Sequence, residues 1–361
     1  MNSNKRTEDD SYDLLSPFLL APGGTRLIQV QPTLRCNLRC KHCYSESGPD
    51  QRGDLSLDSL QSFLAQAGRL GYSYVGVSGG EPLLWQGLES FLDFALDHGF
   101  STSIITNGTL LNEKKAKMLH GRAGIVAVSV DGPPEDHAEI RGSITAFPAM
   151  QRGLAVLRDA GIPFSIVFTL TRFNADRLSW LHEFASEEGA VGINVHPLCG
   201  YGAASINLAN AIPDSIEFQV ASWLLALLVK QRGPGGPVVT LDVVRRSRIE
   251  ESCWPLLIEE DERLLTMPFA DLVPSLIIEG DGRISPFIYG FPRSWSVGFL
   301  DGEPLADAAD AWRSTCAAPV AAIVRSTVER LAASEAEYFD LFGEMMESAS
   351  RVHAELIPNV E

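Results

Sequence analysis

From Leu27 onward the sequence alternates short, almost wholly apolar runs with longer segments of helical period, and this alternation restricts the fold more than any other feature. LIQVQPT (27–33), YSYVGVSG (72–79), FSTSIITN (100–107), GIVAVSVDG (124–132), PFSIVFTLT (163–171) and AVGINVHPL (190–198) read as six strands. Runs that stay apolar at successive positions belong to strands covered on both faces. The intervening segments, such as LSLDSLQSFLAQAGRLG and AFPAMQRGLAVLRDAG, have helical periodicity, and several close on the Gly that commonly ends a helix. Repeated strand–helix units imply a parallel sheet, open or closed into a barrel. Six units fall short of a full eight-fold barrel. The expected class is α/β, a partial (β/α)6 TIM-like barrel with a smaller α+β C-terminal extension; a doubly wound sheet fits the same rhythm.

The rhythm divides the chain. Residues 1–24 are polar and end in APGG, a flexible N-terminal segment; 25–210 form the βα core. Residues 211–318 break the pattern, with a helix over 212–233 and a hairpin over 274–290 around an Asp-Gly turn. A single long helix is expected from about Pro319 to His353, within a terminal segment 319–361. The formal net charge of −17 argues against nucleic acid or an anionic membrane as the main partner. No stretch approaches the roughly 20 apolar residues of a membrane span, and the first residues lack the apolar core of a signal peptide. A cytoplasmic, reducing home follows, where clustered cysteines serve as metal ligands sooner than as disulfides.

PTLRCNLRCKHCYS places Cys36, Cys40 and Cys43 at i, i+4 and i+7, directly after the first strand. Three thiolates can hold three irons of a cubane and leave the fourth open to a reacting ligand. The same spacing also suits a helix face packed in a core, or a zinc site completed by His42. Polar Arg35, Asn37, Arg39, Lys41 and His42 make a poor core helix, and α/β sheets place ligands at the C-terminal ends of strands.

The C-x3-C-x2-C loop resembles that of the radical S-adenosylmethionine (SAM) superfamily. That resemblance implies that SAM chelates the open iron of a single 4Fe–4S cluster. One electron then splits a C–S bond, and the resulting 5′-deoxyadenosyl radical abstracts hydrogen from carbon. It further implies an electron donor such as flavodoxin or ferredoxin. Later strand ends carry matching motifs. GGEP, here Gly79, Gly80, Glu81 and Pro82, is implied to bind the SAM amino group, although Gly-Gly before Glu-Pro also makes a plain turn. S-x-D-G followed by H-x-x-x-R-G maps onto Ser129, Asp131, His137 and Arg141, with Ser129 and Arg141 near the ribose and carboxylate. Thr106 and Asn107 close the third strand, and Thr169, Thr171 and Asn174 the fifth; Asn174 is equally suited to a structural cap. His42 either stacks near adenine or is solvated.

The tail resembles the SPASM/twitch extension of peptide- and protein-modifying members of the family. In EGDGRISPFIYGFPRSWSVGFLDGEPLADA, Phe287 stands where a cluster cysteine is expected and Ile288 where sulfatase-maturing relatives carry a catalytic acid. Only Cys199, Cys253 and Cys316 remain downstream, too few for a second cubane. The extension is therefore expected to keep its shape without a cluster, which disfavours formylglycine formation. Cys199, just after the sixth strand, is a candidate hydrogen-atom donor or an inert buried thiol. His196, Tyr201 and Tyr289 are possible substrate-facing groups. The lead-in is too short for a separate leader-binding domain, so a partner or the extension would capture a peptide leader.

These readings give a radical SAM enzyme that abstracts hydrogen from a carbon of a peptide or protein. One alternative keeps the chemistry but takes a small natural-product or cofactor intermediate. Another is a non-catalytic zinc- or cluster-binding scaffold.

Overall fold

The computed structural model describes residues 26–356 apart from Pro234, Glu251 and Cys253; the N-terminal segment 1–24 and Cys253 thus lie outside the described residues. Six parallel strands appear where the apolar runs fall: β1 (Leu27–Val30), β2 (Tyr74–Val77), β3 (Ser101–Thr106), β4 (Ile125–Ser129), β5 (Phe164–Leu170) and β6 (Gly192–Pro197). They pair in sequence order, β1 to β6. The helices between them are α1 (Leu57–Arg69), α2 (Leu88–Asp97), α3 (Glu113–Leu119), α4 (Pro134–Arg141), α5 (Ala146–Asp159) and α6 (Leu178–Glu187). Ile28, Val75, Ile104, Val126, Ile166 and Val195 from the strands are essentially inaccessible, as are Leu64, Leu92, Leu154 and Leu181 from the helices. Burying such a side chain contributes about 1.5–3 kcal/mol, so this layer contact drives the architecture.

The sheet is wider than six strands. Beyond β6 come α7 (Ala203–Asn207) and α8 (Ser215–Arg232), the latter opened by a capping box between Asp214 and Glu217. β7 (Val238–Leu241) then adds parallel to β6. After β8 (Val244–Arg245) and four short helices, α9–α12 (Arg246–Glu250, Pro255–Ile258, Asp261–Leu264, Phe269–Leu272), the hairpin β9 (Ser275–Ile278)–β10 (Arg283–Pro286) joins the opposite edge. β9 lies parallel to β1, and β11 (Gly298–Phe299) closes the row antiparallel to β10. Eight parallel strands, β9-β1-β2-β3-β4-β5-β6-β7, therefore make the barrel wall; the full ten-stranded sheet ends at β11 and β7, which do not pair with each other among the described residues.

The expected single C-terminal helix is two. α13 (Leu305–Thr315) leads into α14 (Ala317–Ala332), which ends well before α15 (Leu341–Leu356). The Arg246 guanidinium donates to the carbonyls of Ala332, Ser334 and Ala336, satisfying groups that a continuing helix would have used. β12 (Tyr338–Phe339) pairs with β8, and Asp340 Oδ1 accepts from Gly343 N at 2.9 Å to start the next helix.

Position 287 is filled by hydrocarbon. Phe287 is buried, with ring centroids 5.6 Å from Trp254, 5.3 Å from Phe291 and 6.4 Å from Trp312. Its φ of 67° is left-handed, unusual for a bulky residue and held here by that packing. A buried Glu279–Arg283 pair braces the hairpin: Arg283 Nη2 donates to Glu279 Oε2 at 2.6 Å, while Ser285 Oγ and Gly290 N donate to Oε1. Ile288 packs partly buried against the core. Replacing Phe287 by Ala is expected to cost about 3–5 kcal/mol, read as a lower denaturant midpoint at unchanged slope.

Candidate functional site

The strand ends of β1 to β6 surround a pocket whose rim is the cysteine loop. That loop leaves β1 and is sewn down by backbone. Cys36 N donates to Gly48 O at 3.1 Å, Lys41 N to Ile140 O at 2.8 Å, and Ala203 N to Cys43 O at 2.9 Å. The GGEP turn meets it from β2, where Gly80 N donates to Thr33 O at 2.8 Å and Glu81 N to Arg35 O at 2.9 Å. A Cβ on Gly80 would stand 2.3 Å from Arg35 O, and one on Gly202 would stand 2.4 Å from Tyr44 O. Neither gap admits an atom. Gly80 thus serves the close approach of the cysteine loop as well as lining the pocket.

Each thiol receives its own donor from a different element. Asn107 Nδ2 is 3.8 Å from Cys36 Sγ, Arg141 Nη1 is 3.6 Å from Cys40 Sγ, and Ser47 N is 3.3 Å from Cys43 Sγ. Burial pushes the Cys36 thiol up to about 12 and raises Cys40 as well, with Arg141 opposing the latter. A cation among the sulfurs would supply the charge that favours thiolate. Among the described residues no three His, Cys, Asp or Glu side chains converge on a single-ion site. Three thiols around one pocket, each with its own donor, match the ligand count of a cubane held through three of its irons.

Several candidates line this pocket: Gly79, Gly80, Thr106, Asn107, Ser129, Arg141 and Thr169, together with His42, His196 and Cys199. Others support it from behind. Glu81 is inaccessible, and its carboxylate accepts from Leu83 N at 3.1 Å, Thr106 Oγ1 at 2.7 Å and Asn107 N at 3.0 Å. The carboxylate ties the GGEP turn to the end of β3 instead of facing an ammonium. Pro82 is buried at the start of a short 3₁₀ turn. Asp131 is buried behind Arg141, whose Nε donates to its Oδ2 at 2.6 Å. His42 Nε2 stands 3.4 Å from Asp131 Oδ1, and the imidazole is largely buried, with Nδ1 making no hydrogen bond among the described residues. Burial alone would raise the Asp131 carboxyl, but Arg141 and His42 outweigh it and hold it well below the usual range. Burial lowers His137 to about 4, leaving a neutral ring whose Nδ1 accepts from Asp131 N at 3.2 Å.

Asn174 is a structural cap: its Oδ1 accepts from Thr171 N at 2.7 Å and its Nδ2 donates to Thr169 O at 2.9 Å. Thr171 Oγ1 accepts from Phe173 N at 3.2 Å, within the same turn. Burial pushes the Cys199 thiol up to about 12, with Asp340 adding to it, and Tyr201 stands beside it. Tyr289 packs edge-on against Tyr44, centroids 4.9 Å apart. Tyr44 and Ser78 line the pocket without having been singled out by sequence reasoning. Tyr44 directly follows the last cysteine, and its Oη accepts from Gln31 Nε2 at 3.2 Å. Cys316 lies between α13 and α14, apart from this constellation.

The α/β barrel wall thus carries three cysteine thiols around one pocket at its strand ends. Residues 30–185 match the family model described as the Radical SAM superfamily, so this segment is a radical SAM domain. Members of that superfamily are enzymes that use a 4Fe–4S cluster and SAM. The chain is 34% identical over 174 residues to an AdoMet-dependent heme synthase of Methanosarcina barkeri, covering 47% of this chain and 50% of that protein. It is 25% identical over 194 residues to the PqqA peptide cyclase of Granulibacter bethesdensis, covering 53% and 52%. The chain thus spans about half the length of the curated relatives it matches. In fold it is similar to Streptococcus suis SuiB bound to precursor peptide SuiA, with a TM-score of 0.63, 15% identity, and 82% and 66% of the two chains covered.

Two substitutions probe this construction. Gly80→Ala is expected to displace the cysteine loop and to leave less than half the parent's iron after anaerobic reconstitution, by colorimetric iron assay. Glu81→Ala orphans three buried donors and should destabilise the fold by about 2–4 kcal/mol in chemical denaturation.

Proposed function

We propose that the chain is a radical SAM enzyme that abstracts hydrogen from a carbon of a peptide or protein substrate. The observation that carries the chemistry is the set of three separately donated thiols at the rim of a pocket walled by strand ends. Cys36, Cys40 and Cys43 would hold the cluster, which with SAM supplies one-electron C–S cleavage and a hydrogen-abstracting radical. Backbone of Gly79 and Gly80 and the side chains of Thr106, Asn107, Ser129 and Thr169 would orient SAM. Arg141, fixed on Asp131, would present its remaining guanidinium edge to a carboxylate.

The substrate reading draws on the relatives. Those named as peptide-modifying include the PqqA peptide cyclase and the sporulation killing factor maturation protein SkfB of Bacillus subtilis. A small-molecule tetrapyrrole reading has its own support, the 34% identity to a heme synthase. A second cavity of ≈ 730 Å³ beside Cys199 is large enough for either.

Cys199 lines both cavities, so its S–H can reach a carbon radical formed between them. Transfer of that hydrogen atom leaves a thiyl, which an electron and a proton from a flavodoxin- or ferredoxin-type donor restore. The outcome for the substrate carbon would be redox-neutral.

Anaerobic reconstitution followed by SAM and dithionite is expected to release 5′-deoxyadenosine from the parent and none from Cys40→Ala. A parent that binds iron yet releases none sinks the proposal. In D2O with a modified peptide in hand, deuterium should enter the product; Cys199→Ala should abolish that label while 5′-deoxyadenosine still forms.

A further inference from the structure

The pocket at the strand ends and the ≈ 730 Å³ cavity share two lining residues, Leu198 and Cys199. The larger cavity is walled by the segment after β6 and by α8, α14, β12 and α15, elements outside the matched family region. Its surface is mostly apolar, with Ile212, Phe218, Leu331, Phe339 and Met346 among its lining. Five charged side chains border it: Asp214, Asp340, Glu344, Glu347 and Arg330. Four are answered. Arg330 pairs with Glu344 at 2.8 Å, Arg172 with Asp214 at 3.0 Å, and Arg351 stands 3.7 Å from Glu347.

Asp340 is different. Its carboxylate accepts from the backbone N–H of Gly343, and among the described residues no cation pairs with it. Burial pushes it up to about 6, with Glu344 adding to the shift and the backbone N–H groups of Gly343 and Phe342 opposing it, so the ionised form has main-chain donors but no counter-charge. It lines the same cavity as Cys199 and Tyr201.

Resting on the radical SAM reading above, we infer that this cavity is the substrate chamber and that Asp340 takes the cationic end of a lysyl- or arginyl-type side chain. The apolar walls suit the methylene stem, and the target carbon then lies between Cys199 and the strand-end pocket. A polycarboxylate substrate would instead set its anions against a carboxylate with no counter-charge, which costs affinity. The chamber therefore selects a basic peptide residue over an anionic tetrapyrrole.

The test uses reconstituted holoenzyme and three probes: the Nα-acetyl methylamides of lysine, norleucine and glutamate. Alkylation of Cys199 is followed by peptide mapping as each probe is added. Lysine should protect Cys199 at a concentration about tenfold below norleucine, as one charge-assisted hydrogen bond implies, with glutamate weakest. Asp340→Asn should erase the lysine preference while keeping the helix cap, since Asn caps as well as Asp. Asp214→Asn, which removes a carboxylate already paired, should keep it. Equal protection by all three probes, or none by any, overturns the inference, and the ranking in the parent decides even if Asp340→Asn does not fold. 5′-Deoxyadenosine formation in the same preparation separates the two readings. Its presence without a lysine preference sinks only this inference; its absence sinks the radical reading while the binding preference stands.

Discussion

The contact on which the site depends is backbone against backbone. The cysteine loop lies against Gly80 and Gly202 so closely that a single methyl group at either would collide with a carbonyl. Such proximity lets main-chain hydrogen bonds from the GGEP turn, from α4 and from the start of α7 hold a loop that has almost no core of its own. Cys36, Leu38 and Ala146 form only a small apolar cluster there. The buried Glu81 carboxylate completes the frame by joining the turn after β2 to the end of β3. Asn107, anchored by that carboxylate, is the residue that reaches Cys36. Thiol placement is thus a consequence of strand order: neighbouring strands supply neighbouring supports.

Reading outward from the loop, the extension is part of the same wall. Its hairpin extends the sheet alongside β1, and its helices α14 and α15 roof the cavity beside Cys199. At position 287 the aromatic cluster of Trp254, Phe287, Phe291 and Trp312 gives the hairpin a hydrophobic anchor. Close aromatic pairs of this kind contribute about 0.5–1.5 kcal/mol each beyond burial. Core packing of this kind stabilises the segment around position 287.

Much of this was legible in the sequence because it is local. The six apolar runs became β1 to β6, and their polar ends came together because parallel strands deliver all their C-termini to one side. What was not legible is non-local. β7 and β9 are short apolar runs whose partners, β6 and β1, are far away in the chain. The break between α14 and α15 depends on Arg246, some ninety residues earlier, donating to three carbonyls. Glu81 looked like an ammonium acceptor because its three donors belong to Leu83 and to another strand's end. The unanswered charge of Asp340 is visible only once every neighbouring carboxylate has found its arginine.

Cys36, Cys40 and Cys43 would hold the proposed 4Fe–4S cluster and leave it able to bind SAM. Electron paramagnetic resonance of the reduced, reconstituted protein tests this most directly. A signal of a reduced 4Fe–4S cluster whose g-values move on addition of SAM is the predicted result. A cluster signal indifferent to SAM, or a protein that takes up zinc in place of iron, would contradict it.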